Sequence, residues 1–205
     1  MDVSAIMHDP DVKSILQWYQ NTTTPAIAEY YCGTRDVFEG RLSKVALLAQ
    51  KKLEMSENES FLMTAVIGEV GNNSYDHNLG HWSYEPGVHY GVWCQNGDLV
   101  CLIADRGRGI HASLMAVHKN IGNQQEALET AFQKKISGRF PERRGNGLKF
   151  VRQVVNGDSN RGIWCRSGDA AVSFGKLGEY AAAKAEFING MPCCGGTITI
   201  LVWRK

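Results

Sequence analysis

Six consecutive apolar residues, Leu99 to Ala104 (LVCLIA), end on the carboxylate of Asp105 and run directly into Gly107-Arg108-Gly109. An unbroken apolar run this short, bounded by turn residues, reads as a buried strand. The stretch 88–94 before it reads as a second strand, and Gln95-Asn96-Gly97 supplies the turn between the two. A carboxylate is thus held at the end of a buried strand, and the glycines beside it let main chain approach closely whatever that carboxylate faces.

The helix before this hairpin carries the second constraint. Ser56 with Glu59 forms a capping box, and Leu62, Ala65 and Val66 follow at helical spacing. The same line continues as Glu69, Asn73 and His77, which places a carboxylate and an amide one turn apart on the core-facing side. Burying such groups without partners costs roughly 2–7 kcal/mol, so they line a cavity or bind something polar. An amide oxygen suits Mg²⁺ held mainly by phosphate oxygens, and a carboxylate one turn away can take a proton from a hydroxyl or water. Asp105 can accept a hydrogen bond from an exocyclic amine such as that of adenine. Gly145-Asn146-Gly147-Leu148 opens a helix and follows Glu142-Arg143-Arg144. Free N–H groups at a helix start, with arginines beside them, form an anion site. Gly195-Gly196-Thr197 leads into the last strand, where Thr197 can reach a bound base or its bridging water.

Length and composition suit one globular domain. The net charge of +1 demands neither a nucleic acid nor a membrane partner, but charge is concentrated: residues 134–152 hold seven basic residues against Glu142 alone. No GxxxxGK[ST] occurs, which excludes a P-loop. Gly107 to Ala112 fits a dinucleotide-binding pattern, but the region where that fold needs a second strand reads as helix (QQEALETAFQKK). The six cysteines form no CxxC pair and read as reduced core thiols. No apolar run reaches the ~18 residues of a membrane span, and the N-terminus lacks a signal pattern.

Helices are expected at 1–20, 41–54, 111–118, 123–135 and 147–155. Strands are expected at 162–166 and 170–174, joined across Ser167-Gly168-Asp169, and at 197–203. Residues 175–194 are ambiguous between helix and loop. Residues 1–45 read as an N-terminal helical extension, and 46–205 as the main domain.

Taken in order, Glu-x-x-x-Asn, Asp-x-Gly-x-Gly, Gly-x-Gly and Gly-Thr resemble the N box and three glycine boxes of the GHKL superfamily, ATPases and kinases with a Bergerat-type nucleotide pocket. The resemblance spans roughly residues 45–205. It implies an α/β (α+β) two-layer sandwich in which a mixed, mostly antiparallel sheet carries helices on one face. ATP would lie between helices and a mobile lid at 110–144. The resemblance also implies roles. Glu69 would be the catalytic base, Asn73 the Mg²⁺ ligand and Asp105 the adenine reader. Gly107 and Gly109 would form the first glycine box, Gly145, Asn146, Gly147 and Leu148 the phosphate loop, and Thr197 the third box.

Within the superfamily, Glu69…Asn73…His77 and Glu142-Arg143-x-Gly145-x-Gly147 are similar to the motifs of anti-sigma-factor serine kinases, whereas Ser74 is closer to gyrase and MutL. The first likeness implies a stand-alone cytoplasmic ATP-dependent serine/threonine kinase acting on a protein partner, with Arg143 or Arg144 steadying the transferring group. The N-terminal helices would serve dimerisation or docking. A slow ATPase with a closing lid and a non-catalytic nucleotide sensor are the other activities these boxes allow.

Overall fold

The computed structural model describes residues 6, 8–82, 84–95, 97–116, 120–133, 146–190, 192 and 195–205. At its centre is β3 (Asp98–Asp105), buried along its whole length. Successive side chains of a strand point to opposite faces. Leu99, Cys101 and Ile103 therefore enter one core, and Val100, Leu102 and Ala104 enter another. β2 (Val88–Gln95) and β6 (Thr197–Arg204) flank β3, with Asp105 opposite Val88 on one side and Thr197 on the other. β1 (Tyr31–Cys32), β4 (Arg161–Ser167) and β5 (Ala170–Phe174) complete the order β1-β2-β3-β6-β4-β5. Every pairing among the described residues is antiparallel, where a mixed sheet was expected. The reason is β6: it inserts between β3 and β4 and runs opposite to both, so no parallel pair arises.

The first face of the sheet is layered with α4 (Glu57–Asn78), flanked by α2 (Arg35–Leu42) and α3 (Val45–Leu53) on one side. On the other side lie α7 (Gly147–Asn156) and, beyond it, α6 (Gln124–Gln133). This is a sheet-on-helix sandwich. The expectation of helices on one face only needs correcting. α1 (Pro10–Gln20) and α8 (Lys176–Lys184), followed by the short α9 (Glu186–Asn189), cover the second face. A strand apolar on both sides requires that cover. Residues 176–189, within the stretch left ambiguous by propensity, supply part of it.

Elements between residues 10 and 42 pack into both cores. Val12, Ile15, Leu16, Trp18 and Tyr19 of α1 are buried in the second core. β1 extends the sheet, and Phe38 sits in the first core against α4. The guanidinium of Arg106 lies over the Trp18 ring at 4.1 Å. It donates to the carbonyls of Trp18, Asn21, Thr22 and Thr24 and so fastens the turn after α1. The capping box is half formed. Ser56 Oγ accepts from the Glu59 N–H at 3.3 Å. The Glu59 carboxylate instead takes bonds from Arg161 (2.9 and 2.7 Å) and the Trp203 indole (2.6 Å).

Gly71 permits α2 and α4 to close up: a Cβ there would meet the Phe38 ring at 2.1 Å. Gly71→Ala is expected to lower unfolding free energy by about 1–3 kcal/mol through overpacking, despite alanine's better helix propensity. Urea denaturation of Gly71→Ala, Phe38→Leu and the double variant checks this. The double variant should be more stable than the two single losses sum to.

Candidate functional site

α4 and the end of β3 meet around Asp105, which is 2% exposed. Its Oδ2 accepts from Ser74 Oγ at 2.9 Å. Its Oδ1 accepts from Asn78 Nδ2 at 3.2 Å and from the Gly107 N–H at 2.8 Å. Asn78 continues the chain of bonds, because its Oδ1 accepts from the Arg108 N–H at 3.0 Å. Burial pushes the Asp105 carboxyl up to about 6, and the bonds from Gly107, Ser74, Asn78 and the Thr197 main chain hold it from rising further.

A cleft of about 620 Å³, its open mouth included, lies above this carboxylate. Asn73, His77, Asp105, Gly109, Leu148 and Thr197 all line it, so six of the residues singled out in the sequence converge on one space. Between them the walls are mainly apolar, with Val70, Ile103, Ile110 and Leu114 among the lining residues. Gly109 opens α5 (Gly109–Met115) with φ +76. Ser167 Oγ accepts from the Ile110 N–H at 2.9 Å and donates to the Gly196 carbonyl at 3.2 Å, which ties α5 to the turn before β6.

At the other end of the cleft α7 begins. Asn146 precedes it and makes no side-chain cap, so the first N–H groups of the helix have no capping partner there. A Cβ on Gly147 would meet Glu69 Oε2 at 2.3 Å and Asn73 Nδ2 at 3.7 Å. The carboxylate, the amide and the helix start are therefore contiguous. Asn73 Nδ2 is buried with no hydrogen-bond partner among the described residues. Arg143, Arg144 and Gly145 lie outside the described residues.

Two placements differ from expectation. Glu69 is exposed, and Asn73 and His77 are only partly buried. The line of α4 that enters the core is Met63, Ile67, Val70, Ser74 and Asn78, one residue out of phase with the line read from the sequence. Gly107 lies behind the cleft against Asn78, where a Cβ would come within 2.0 Å of that side chain. The residues missed are Ser74 and Asn78, which hold Asp105, and Thr199, which lines the cleft and donates to Cys165 Sγ at 3.4 Å. Strand alternation from Thr197 marks Thr199. Extending the Val66–Val70 spacing marks Ser74 and Asn78.

The Asp105 carboxyl yields a pH prediction. Its folded value, about 6, lies above the ordinary 3.8. The folded state therefore binds the extra proton between these values. The stability this group contributes is full below about pH 4 and is lost as pH rises through about 6, a change of about 3 kcal/mol. The wild type minus Asp105→Asn difference in unfolding free energy is thus expected to fall by about that amount between pH 4 and pH 7. Urea titrations at the two pH values measure it, and a pH-independent difference would contradict it.

Compared with protein-family models the chain matches none, and no curated protein matches it, so the reading of this cleft rests on its own residues.

Proposed function

We propose that the chain binds ATP with Mg²⁺ in this cleft and acts as an ATP-dependent serine/threonine protein kinase of the anti-sigma type. One observation carries the reading: Asp105 and Asn73 share a single apolar-walled cleft, and the start of α7, which the Asn146 side chain does not cap, lies against Glu69 and Asn73. The purine would occupy the space between Ile103, Ile110 and Leu148, with its amine donating to Asp105. The phosphates would lie at the N–H groups of α7, where the helix dipole favours negative charge.

The donor set fits Mg²⁺. A cation held chiefly by phosphate oxygens needs little more from the protein than one amide oxygen. Asn73 is the amide in place: its Oδ1 would face the metal, and its buried Nδ2, without a partner among the described residues, would donate to a phosphate oxygen. Mg²⁺ bound there would neutralise phosphate charge and align the phosphates. Glu69, exposed beside Gly147, is positioned to take the proton of an incoming hydroxyl.

Water can reach an exposed Glu69 as readily as a partner's hydroxyl, which supports slow ATP hydrolysis as the second reading. Labelled ATP distinguishes the outcomes: label on a partner protein means kinase, free phosphate means ATPase, and unchanged nucleotide with retained binding means sensor.

Two predictions follow from the geometry. ATP·Mg at ~100 times its Kd should stabilise the wild type by about 2.7 kcal/mol. GTP·Mg should stabilise it much less, because its 6-oxo group would face the Asp105 oxygens. Asp105→Asn should lose the ATP shift. Thermal melts with each nucleotide test this, with the melting point of the unliganded variant showing that it is folded. Glu69→Ala should keep the ATP shift but lose turnover by about 10²–10⁴-fold. Phosphate release or transfer unchanged in that variant would remove Glu69 from the chemistry.

A further inference from the structure

Beyond Tyr90 the edge of the sheet is open. β1 pairs only Tyr31 with His89 and Cys32 with Val88, and the Tyr90 N–H donates to the Tyr30 carbonyl at 2.9 Å. β2 pairs one-to-one with β3 from Val88 to Gln95, so its outward main-chain groups recur at every second residue. After Tyr90 these belong to Val92 and Cys94, and among the described residues no strand continues beside them. The chain before Tyr30 makes a turn, in which the Tyr30 and Tyr31 N–H groups donate to the Ile27 carbonyl and Arg41 donates to the carbonyls of Ala28 and Glu29.

A groove of about 930 Å³, open space included, runs along this edge. Tyr90 and Val92 lie on one side of it, and Leu47, Leu48 and Lys51 of α3, with Lys44 at the cap of that helix, on the other. Leu47 is 56% exposed. The lining is basic, with Arg41, Lys44 and Lys51 against Glu29 alone.

We propose that this edge docks an extended, acidic peptide of a partner protein, which adds as a further strand beside Val92 and Cys94. Its main chain bonds to theirs, its apolar side chains cover Leu47, Leu48 and Val92, and its carboxylates face Lys44 and Lys51. A second copy of this chain is disfavoured, since a twofold axis at this edge would set the same lysines against one another. Lysines also occur on edge strands as guards against aggregation. A merely guarded edge, however, has no use for an exposed leucine and an apolar groove alongside it. The site does not depend on nucleotide binding.

The test uses the full chain and a fluorescein-labelled octapeptide of alternating Glu and Val, read by fluorescence anisotropy. Saturable binding is expected, with slowed amide exchange at Val92 and Cys94. A Lys/Val peptide should bind at least about tenfold more weakly. The Glu/Val peptide N-methylated at alternate residues, which keeps its charge but loses its donors, should also bind at least about tenfold more weakly. Lys44→Glu/Lys51→Glu, both on exposed positions, should lose binding to a similar degree with an unchanged melting temperature. Absence of saturable binding overturns the proposal, as does equal binding by the N-methylated peptide or by the charge-reversed variant. Sedimentation that shows dimers with the same two amides protected, without peptide, assigns the edge to a second copy and overturns it as well.

Discussion

The hydrogen bonds on the Asp105 carboxylate join α4, the end of β3 and the loop that follows it. Ser74 and Asn78 donate from α4, and Gly107 donates from the loop that follows the strand. Asn78 then accepts from Arg108 and so fixes the entry to α5. A buried carboxylate without such donors would cost several kcal/mol. With them, its ionisation near neutral pH stays within reach of its surroundings. The base of the cleft is therefore held in place by the chain's own hydrogen bonds.

The next residue works on the opposite side of the sheet. Asp105 and Arg106 are consecutive and both 2% exposed, yet one faces α4 and the other grips the carbonyls after α1. Strand alternation sends neighbouring side chains to opposite faces, and here both neighbours are charged. The floor of the cleft and the N-terminal segment thus share two residues of backbone, and neither can shift far without the other responding.

The sequence showed the elements more clearly than their phase. The strands β2 and β3, the β4–β5 hairpin and the start of α4 were readable from apolar runs, glycine turns and a capping serine. The phase of α4 was not, because its core-facing line passes through Gly71, Ser74 and Asn78, which carry no apolar weight. Leu62, Ala65 and Val66 therefore drew the line toward Glu69, although Ala65 is exposed. That Asn73 and Asp105 line one cleft was expected from the order of the motifs and the family resemblance it carries, not from either residue alone. That Ser74 and Asn78 hold Asp105 was not expected, since small polar residues in a helix are common and only the tertiary contact distinguishes these. Arg106 gave no signal at all: an arginine in a glycine loop reads as exposed, and its partners are carbonyls more than eighty positions earlier. The two-residue β1 is likewise a product of tertiary pairing, too short for any periodicity.

The turn before β6 has a consequence for how such a cleft could diversify. Gly196 has φ +80, and a Cβ there would lie 2.0 Å from the Asp105 carbonyl. Gly109 has φ +76 and abuts Ser167. Bare peptide groups thus shape that wall, and almost any replacement would push the loops apart. Side-chain variation in the cleft is left to apolar positions on its helices, such as Val70, Leu114 and Leu148, so change should be recorded there while the glycine turns stay constant.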